Sequence, residues 1–363
     1  MPFTGLRVGL VGPLPPPAGG MANQTRQLAE LLVSAGATVA VIQVNAPYRP
    51  GWVGGVPFLR SLFRLMPYLA GLWRAAGRSD IFHIMANSGW SWHLFAVPAI
   101  WVAHWRGVAV VVNYRGGEAG GFLQRSSRLV RFSMRRASAL LVPSGFLRGV
   151  FAGFGMKADI VPNIIDLSRF HSRGPYGAGS APHLLVARNL EPLYDNETAI
   201  RAFQCVKKHL LQARLTIAGS GPEEQRLRQF VMDQGLGEAV HFTGRLERDA
   251  MASLYRSADL LLNPSLADNM PNSLLEAWAS GVPVVSTNVG GIPFFADDGI
   301  NASLVPAADS AAMGQACLSL LCDEHAWRQR AQAGLQEAQR YTWPRVQPAL
   351  IHAYRQAMQQ PTH

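Results

Sequence analysis

Residues 263–286 read Asn263-Pro-Ser-Leu-Ala-Asp-Asn-Met-Pro-Asn-Ser-Leu-Leu-Glu276, continuing as Ala277-Trp-Ala-Ser-Gly-Val-Pro-Val-Val-Ser286. A short apolar run, Leu260–Asn263, leads into the stretch, and a second, Val282–Thr287, closes it. Between them Pro271 favours a turn, and Asn272 or Ser273 can cap a helix over Ser273–Ser280. Strand, loop, helix and strand in that order form one turn of a parallel sheet, because parallel neighbours need a crossover.

The same rhythm extends outward from this stretch. Upstream lie strand His183–Ala187, helix Glu197–Leu211, strand Arg214–Ala218, strand Val240–Phe242 and helix Arg248–Ser257. The first half starts with the run Arg7–Val11, ended by Gly12, and a loop rich in Pro and Gly from Pro13 to Gly20. Helix Gln24–Ser34, with Leu28, Leu31 and Leu32 on one side, and strand Thr38–Val44 follow. Further strands are expected at Ile81–Met85, Val108–Asn113, Leu140–Pro143 and Asp159–Val161. Arg169 to Pro182, with three Gly and two Pro, is the best linker. The fold expected is α/β, with two Rossmann-like domains facing a central cleft. The domains are 1–170 and 171–342, and a helix in 343–363, with Pro344 in its first turn, packs back on the first. Ligands of such sheets bind at the carboxyl ends of the strands.

Charge separates the halves. Residues 1–170 hold seventeen Lys and Arg against five Asp and Glu, whereas residues 171–363 hold sixteen against eighteen. A basic half suits nucleic acid, an anionic membrane or a phosphorylated substrate. No nucleic-acid-binding motif is present, so no nucleic-acid partner is expected. Cys205, Cys317 and Cys322 show neither a paired framework nor metal-ligand spacing, which fits a reducing compartment. The most apolar stretch, Trp90 to Val112, is interrupted by His93, His104 and Arg106. With no signal-peptide pattern before the strand-like Leu6–Val11, a cytoplasmic protein is expected.

The chemistry is carried by Asp268 in the loop and Glu276 about one turn into the helix. The helix N-terminus offers unpaired N–H groups and a positive dipole end, a seat for phosphate. Two carboxylates beside it make poor phosphate ligands and good acceptors for sugar and ribose hydroxyls. An acidic residue and a Glu eight positions later, in a Pro-Ser…Pro…Leu-Glu-Ala context, resembles the paired-carboxylate motif of the retaining family 4 glycosyltransferases, which have the two-domain GT-B fold. Gly281-Val-Pro-Val-Val and Val289-Gly-Gly-Ile292 extend the resemblance. So do Pro17-Ala-Gly-Gly-Met21, Ser144-Gly-Phe, Pro162-Asn-Ile-Ile-Asp166, Arg188 and Gly219-Ser-Gly-Pro222.

The resemblance implies a glycosyltransferase that moves a sugar from a nucleotide-diphosphate donor (UDP or GDP) to an acceptor hydroxyl with retention. No cofactor and no obligatory metal are implied. Glu276 would accept from the donor ribose, and Asp268 would hold hydroxyls of the sugar. Asn269 and Met270 would offer backbone N–H groups, with Pro271, Asn272 and Ser273 beside them. Arg188 would neutralise the diphosphate, where a guanidinium fork suits phosphate oxygens. Gly19, Gly20 and Gly219 would admit the donor closely, and Arg245 and Leu246 would line the base pocket. Asn87 and Glu118 are expected near the acceptor or the cleft, and His83 either there or as a buried structural histidine. Two departures stand out. Tyr194 occupies the place of a frequent phosphate-binding lysine, so that one cation is either missing or replaced by Asn196 or a residue from elsewhere. Arg115, in Val112-Asn-Tyr-Arg-Gly-Gly117, stands where many members have His and would serve as a second cation. Leaving-group stabilisation would then be electrostatic, on a front-face path that needs no protein nucleophile. The competing readings are a nucleotide-sugar epimerase or phosphorylase, and a non-catalytic nucleotide-sugar-binding protein.

Phe58 to Arg78 carries Arg60, Arg64, Arg74 and Arg78 within roughly 80° of one helical face. Leu62, Met66, Leu69 and Trp73 lie opposite, and Pro67 and Gly71 suggest two short helices. Arg125, Arg128, Arg131, Arg135 and Arg136 add a second basic stretch. The segment is expected either to pack on its own sheet or to lie on an anionic bilayer as a peripheral protein. The latter would bring it to a lipid-linked or saccharide acceptor in polysaccharide or glycolipid assembly.

Overall fold

Strand-forming apolar runs alternate with helices through most of the described residues, so each half buries its own parallel sheet. The computed structural model describes residues 3–16, 19–47, 57–172, 174 and 181–359, with backbone alone for 57–62. Pro17 and Ala18 of the glycine loop, most of the expected linker, and the side chains of Arg60 and Leu62 lie outside the described residues. The chain divides into two compact units, one of Met1–Pro162 with Val346–His363 and one of Asn163–Arg345.

In chain order the first unit holds β1 (Arg7–Gly12), α1 (Gly20–Ser34), β2 (Thr38–Gln43), α2 (Pro57–Ala76), β3 (Ile81–Ala86), α3 (Val97–Trp105), β4 (Ala109–Tyr114), α4 (Ala119–Met134), β5 (Ala139–Val142), α5 (Gly145–Gly153) and β6 (Asp159–Ile160). Its strands lie in the order β2-β1-β3-β4-β5-β6, and every pairing is parallel. β3 and β4 are buried along their whole length, as expected of strands covered on both faces. Pro67 does not divide α2, which runs unbroken. Tyr68, Leu72 and Ala76 bury one stripe of it, and Tyr68 Oη donates to the Phe95 carbonyl at 2.7 Å. Packing along that stripe outweighs the bond that proline cannot make.

The second unit holds β7 (His183–Ala187), α6 (Asn196–His209), β8 (Arg214–Ala218), α7 (Glu224–Asp233), β9 (Val240–Gly244), α8 (Arg248–Ser257), β10 (Leu260–Asn263), α9 (Asn272–Ala279), β11 (Val284–Thr287), β12 (Ser303–Val305), α10 (Ser310–Leu321) and α11 (Glu324–Ala338). The strand order β12-β11-β10-β7-β8-β9 reverses between β7 and β10. At such a reversal the connections leave to opposite sides and open a crevice at the carboxyl ends. The final helix, α12 (Trp343–Gln359), has Pro344 in its first turn and buries Val346, Leu350, Ala353, Tyr354 and Ala357.

Candidate active site

The crevice of the second unit is furnished by residues that leave β7 and β10. Arg188 is the first residue after β7. Its Nε and Nη2 donate to Ser265 Oγ at 3.2 and 2.9 Å, and Nη2 ion-pairs with the Asp268 carboxylate. The guanidinium carbon lies 4.4 Å from the ring centroid of Tyr194, a cation–π contact. Ser265 is itself aimed from below: its Oγ donates to Asn263 Oδ1 at 3.1 Å, and Asn263 Nδ2 donates to Ser286 Oγ at 2.9 Å. Thr287 Oγ1 closes the set on the Ser265 carbonyl at 2.6 Å. All four of these side chains are buried, where an unpaired group would be costly, so the network fixes the arginine in one direction.

Glycines let the loops stack. A Cβ on Gly219 would sit 1.9 Å from the Arg188 carbonyl oxygen, and one on Gly221 would sit 2.2 Å from that of Leu190. Likewise a Cβ on Gly290, at φ +56°, would meet the Asp268 carbonyl at 2.0 Å, while one on Gly291 would meet that of Asn269 at 2.2 Å. The loops bearing Arg188 and Asp268 therefore rest directly on backbone, and only glycine permits the approach. From the irregular segment that opens the second unit, Asn163 Nδ2 donates to the Met270 carbonyl at 2.7 Å and to Asn272 Oδ1 at 2.8 Å.

That geometry corrects several expectations. Neither Asn272 nor Ser273 caps α9: Pro271 is the N-cap, without a side-chain cap bond. Asn272 spends its oxygen on Asn163, and Ser273 Oγ is buried without a partner. The Asn269 N–H donates to Asp268 Oδ1 at 2.9 Å. Asn196, the first residue of α6, donates from Nδ2 to the Asn189 carbonyl at 3.0 Å. Arg245 is exposed, whereas Leu246 packs on the neighbouring core.

Glu276 is half-buried on α9. Burial pushes its carboxyl up to about 7, and Tyr255, Arg248 and Arg188 pull the other way without cancelling that rise. Tyr255, fully buried on α8, and Arg248, at the start of that helix, carry no signal in the sequence. A Tyr and an Arg near a helix start are common, and only the packing of α8 on α9 brings them to Glu276.

The first unit presents a second set. Gly19 is the N-cap of α1 and Gly20 its first residue, and a Cβ on either would meet nothing within 4 Å. Asn87, just past β3, bonds the Ser88 N–H at 2.8 Å and touches Gly116, where a Cβ would come within 2.4 Å of its Oδ1. Arg115 follows β4, its N–H bonded to the Ala86 carbonyl at 2.9 Å. Burial lowers its guanidinium to about 10, which leaves it charged at neutral pH. Glu118 is exposed at the start of α4. His83 faces no ligand: it is fully buried, with Tyr354 and Asn113 bonded to its two ring nitrogens.

Two parallel-sheet α/β units, the second with a cation and two carboxylates at its strand-order reversal, have the architecture of the GT-B class. Comparison with known proteins gives the family. Residues 18–169 match the family model described as Glycosyltransferase Family 4, and residues 181–323 match the one described as Glycosyl transferases group 1. The chain belongs to the family 4 glycosyltransferases. A D-inositol 3-phosphate glycosyltransferase of Segniliparus rotundus is 26% identical over 72% of this chain and 62% of its own length. A phosphatidyl-myo-inositol mannosyltransferase of Mycobacterium leprae is 25% identical over 96% of each. The first curated relatives matched are spanned over 62%, 49% and 52% of their own length. Among solved structures, a sucrose-phosphate synthase of Thermosynechococcus elongatus matches with TM-score 0.75 and 19% identity, over 97% of this chain and 98% of its own. HepE of Anabaena in complex with UDP matches with TM-score 0.73 and 16% identity, over 96% and 100%.

Proposed function

We propose that this protein transfers a hexose from a nucleotide-diphosphate donor to the hydroxyl of a phosphate-bearing, lipid-linked acceptor, with retention of configuration. The observation that carries the reading is the set Arg188, Ser265, Asp268 and Glu276 at the carboxyl ends of β7 and β10. Glu276 accepts from the ribose and Asp268 from the sugar. Arg188 exchanges its bond to Asp268 for the donor phosphates as the donor enters. Arg115 adds a second cation, and Gly19 and Gly20 leave room at a helix start where the chain itself needs none. The names of relatives that act on inositol phosphate and on phosphatidylinositol support an acceptor with a phosphate.

The membrane part of the reading is supported by α2, α3 and α4, which pack side by side and contain no Asp or Glu. Met66, Trp73, Trp105, Leu129 and Phe132 are exposed along them. Arg106 stands 5.0 Å from the Trp73 ring, and Arg136 stands 4.0 Å from Trp101 and 4.4 Å from Phe132. Aromatic rings interleaved with arginine suit the headgroup level of an anionic bilayer. No helix among the described residues is long and apolar enough to cross a membrane.

The test is a thermal-shift screen of nucleotide sugars, followed by transfer of the stabilising donor's sugar to polyprenyl-phosphate and phosphoinositide acceptors. Stabilisation by one donor and transfer to a lipid acceptor are expected. Conversion of the donor sugar without any acceptor would favour an epimerase. Binding with neither reaction, together with unchanged cellular glycan in Asp268→Ala and Glu276→Ala, would favour a non-catalytic protein.

A further inference from the structure

A line of buried polar side chains crosses the first unit and ends on Arg115. Tyr354 Oη of α12 lies 2.8 Å from His83 Nδ1 on β3, and His83 Nε2 lies 2.9 Å from Asn113 Nδ2 on β4. Asn113 Oδ1 then accepts from Arg115 Nε at 2.7 Å. The register pairs His83 with Val111, two residues before Asn113, so both side chains lie on the same face of the sheet. Tyr354, His83 and Asn113 are all buried.

The proton positions follow from which groups can donate. A guanidinium Nε only donates, so the Asn113 oxygen faces Arg115 and its NH₂ faces His83. Nε2 is then a bare lone pair, and the ring proton sits on Nδ1, donated to Tyr354 Oη. Burial, with Arg115 adding to it, pushes His83 down to about 3, which keeps the ring neutral as this scheme requires. Reversing any member would set two donors or two acceptors against each other inside the core, where an unmade bond is costly. Apolar side chains would fill the same space more cheaply, so the line calls for a reason beyond packing.

We propose that Tyr354, His83 and Asn113 are positioning residues that hold Arg115 as an anion-binding cation, so that the C-terminal helix sets the aim of a side chain on the first sheet. The inference rests on the reading of Arg115 as a ligand of the donor diphosphate. It goes further by naming what fixes that arginine.

The test is a double-mutant cycle on the full chain, read by titration with inorganic pyrophosphate, with transfer measured on the same proteins. Arg115→Ala is expected to weaken pyrophosphate binding about tenfold, the loss of one charge-assisted contact. Tyr354→Phe is expected to weaken it about threefold to fivefold in the native background, and not at all when Arg115 is already absent. Asn113→Leu, which breaks the last link, should behave the same way and serves if Tyr354→Phe does not fold. Equal losses in both backgrounds, no loss in either variant, or no pyrophosphate binding by the native protein would each overturn the proposal. Coupled pyrophosphate binding without turnover of any donor would leave the positioning line standing and remove the transferase reading.

Discussion

At the residue scale, Glu276 is a carboxyl whose ionisation the fold resists. Its pKa rises from 4.5 to about 7, so between those values the folded chain holds a proton that the unfolded chain releases. Stability from this group therefore falls as pH rises through that window. Glu276→Gln should leave stability unchanged near pH 4.5 and raise it above pH 7 by about 1–2 kcal/mol, read from melting curves. Nucleotide binding should run the other way. An ionised carboxylate accepts from both ribose hydroxyls, so affinity should rise with pH through about 7, and the Gln variant should be flat and about tenfold weaker above it. Opposite signs in stability and binding are the mark of a site residue. Asp268 makes a different case. On the proposed reading its ion pair with Arg188 opens for the donor phosphates, so Asp268→Asn should bind UDP or GDP about threefold to tenfold more tightly while turning over far more slowly. Weaker nucleotide binding by that variant would show that the pair does not compete with phosphate.

At the element scale, the glycines of the two units separate fold from function. Gly219 lies under the Arg188 loop, with no room for a methyl group. Gly219→Ala should cost about 3 kcal/mol or more, because backbone and not a flexible side chain stands in the way. Gly19→Ala meets nothing in the protein, so its stability should change by less than about 0.5 kcal/mol while the KM for donor rises. Equal effects of Gly19→Ala on melting and on KM would mean that this glycine serves the fold alone. The sequence shows all these glycines but does not rank them. It also shows the buried strands, whose apolar runs such as Ile81–Ala86 and Leu260–Asn263 stand out locally. In it Asp268 and Glu276 stand out by their spacing, and Arg188 only through the family resemblance. Hidden from it are bonds between residues far apart in the chain: Asn163 to Met270, Arg188 to Ser265 and His83 to Tyr354. Asn, Ser and Tyr are ordinary residues, and only tertiary packing makes them specific. The unbroken α2 has the same origin, since Pro67 signals a break and the buried stripe of Tyr68 and Leu72 overrides it.

At the scale of the whole molecule, charge and aromatic exposure coincide on the first unit. The excess of Lys and Arg in residues 1–170 would bind any polyanion, whereas exposed tryptophan suits an interface with an apolar side. The helices make the two contributions separable. Arg74, Arg78, Arg125, Arg128 and Arg135 are exposed and are screened by salt, but burial of Trp73, Trp105 and Phe132 in lipid is not. Flotation with vesicles containing phosphatidylglycerol should therefore show strong binding at low salt and a smaller residue of binding at high salt. Trp73→Ser with Trp105→Ser should abolish the high-salt residue and leave most low-salt binding. Arg125→Glu with Arg128→Glu should cut low-salt binding about tenfold or more, at roughly 1 kcal/mol per charge removed and more on reversal. Neither pair touches the donor residues, so nucleotide binding in solution should be unchanged. Binding that disappears completely with salt, and ignores the tryptophan changes, would reduce the surface to a polyanion patch and remove the membrane from the proposed function.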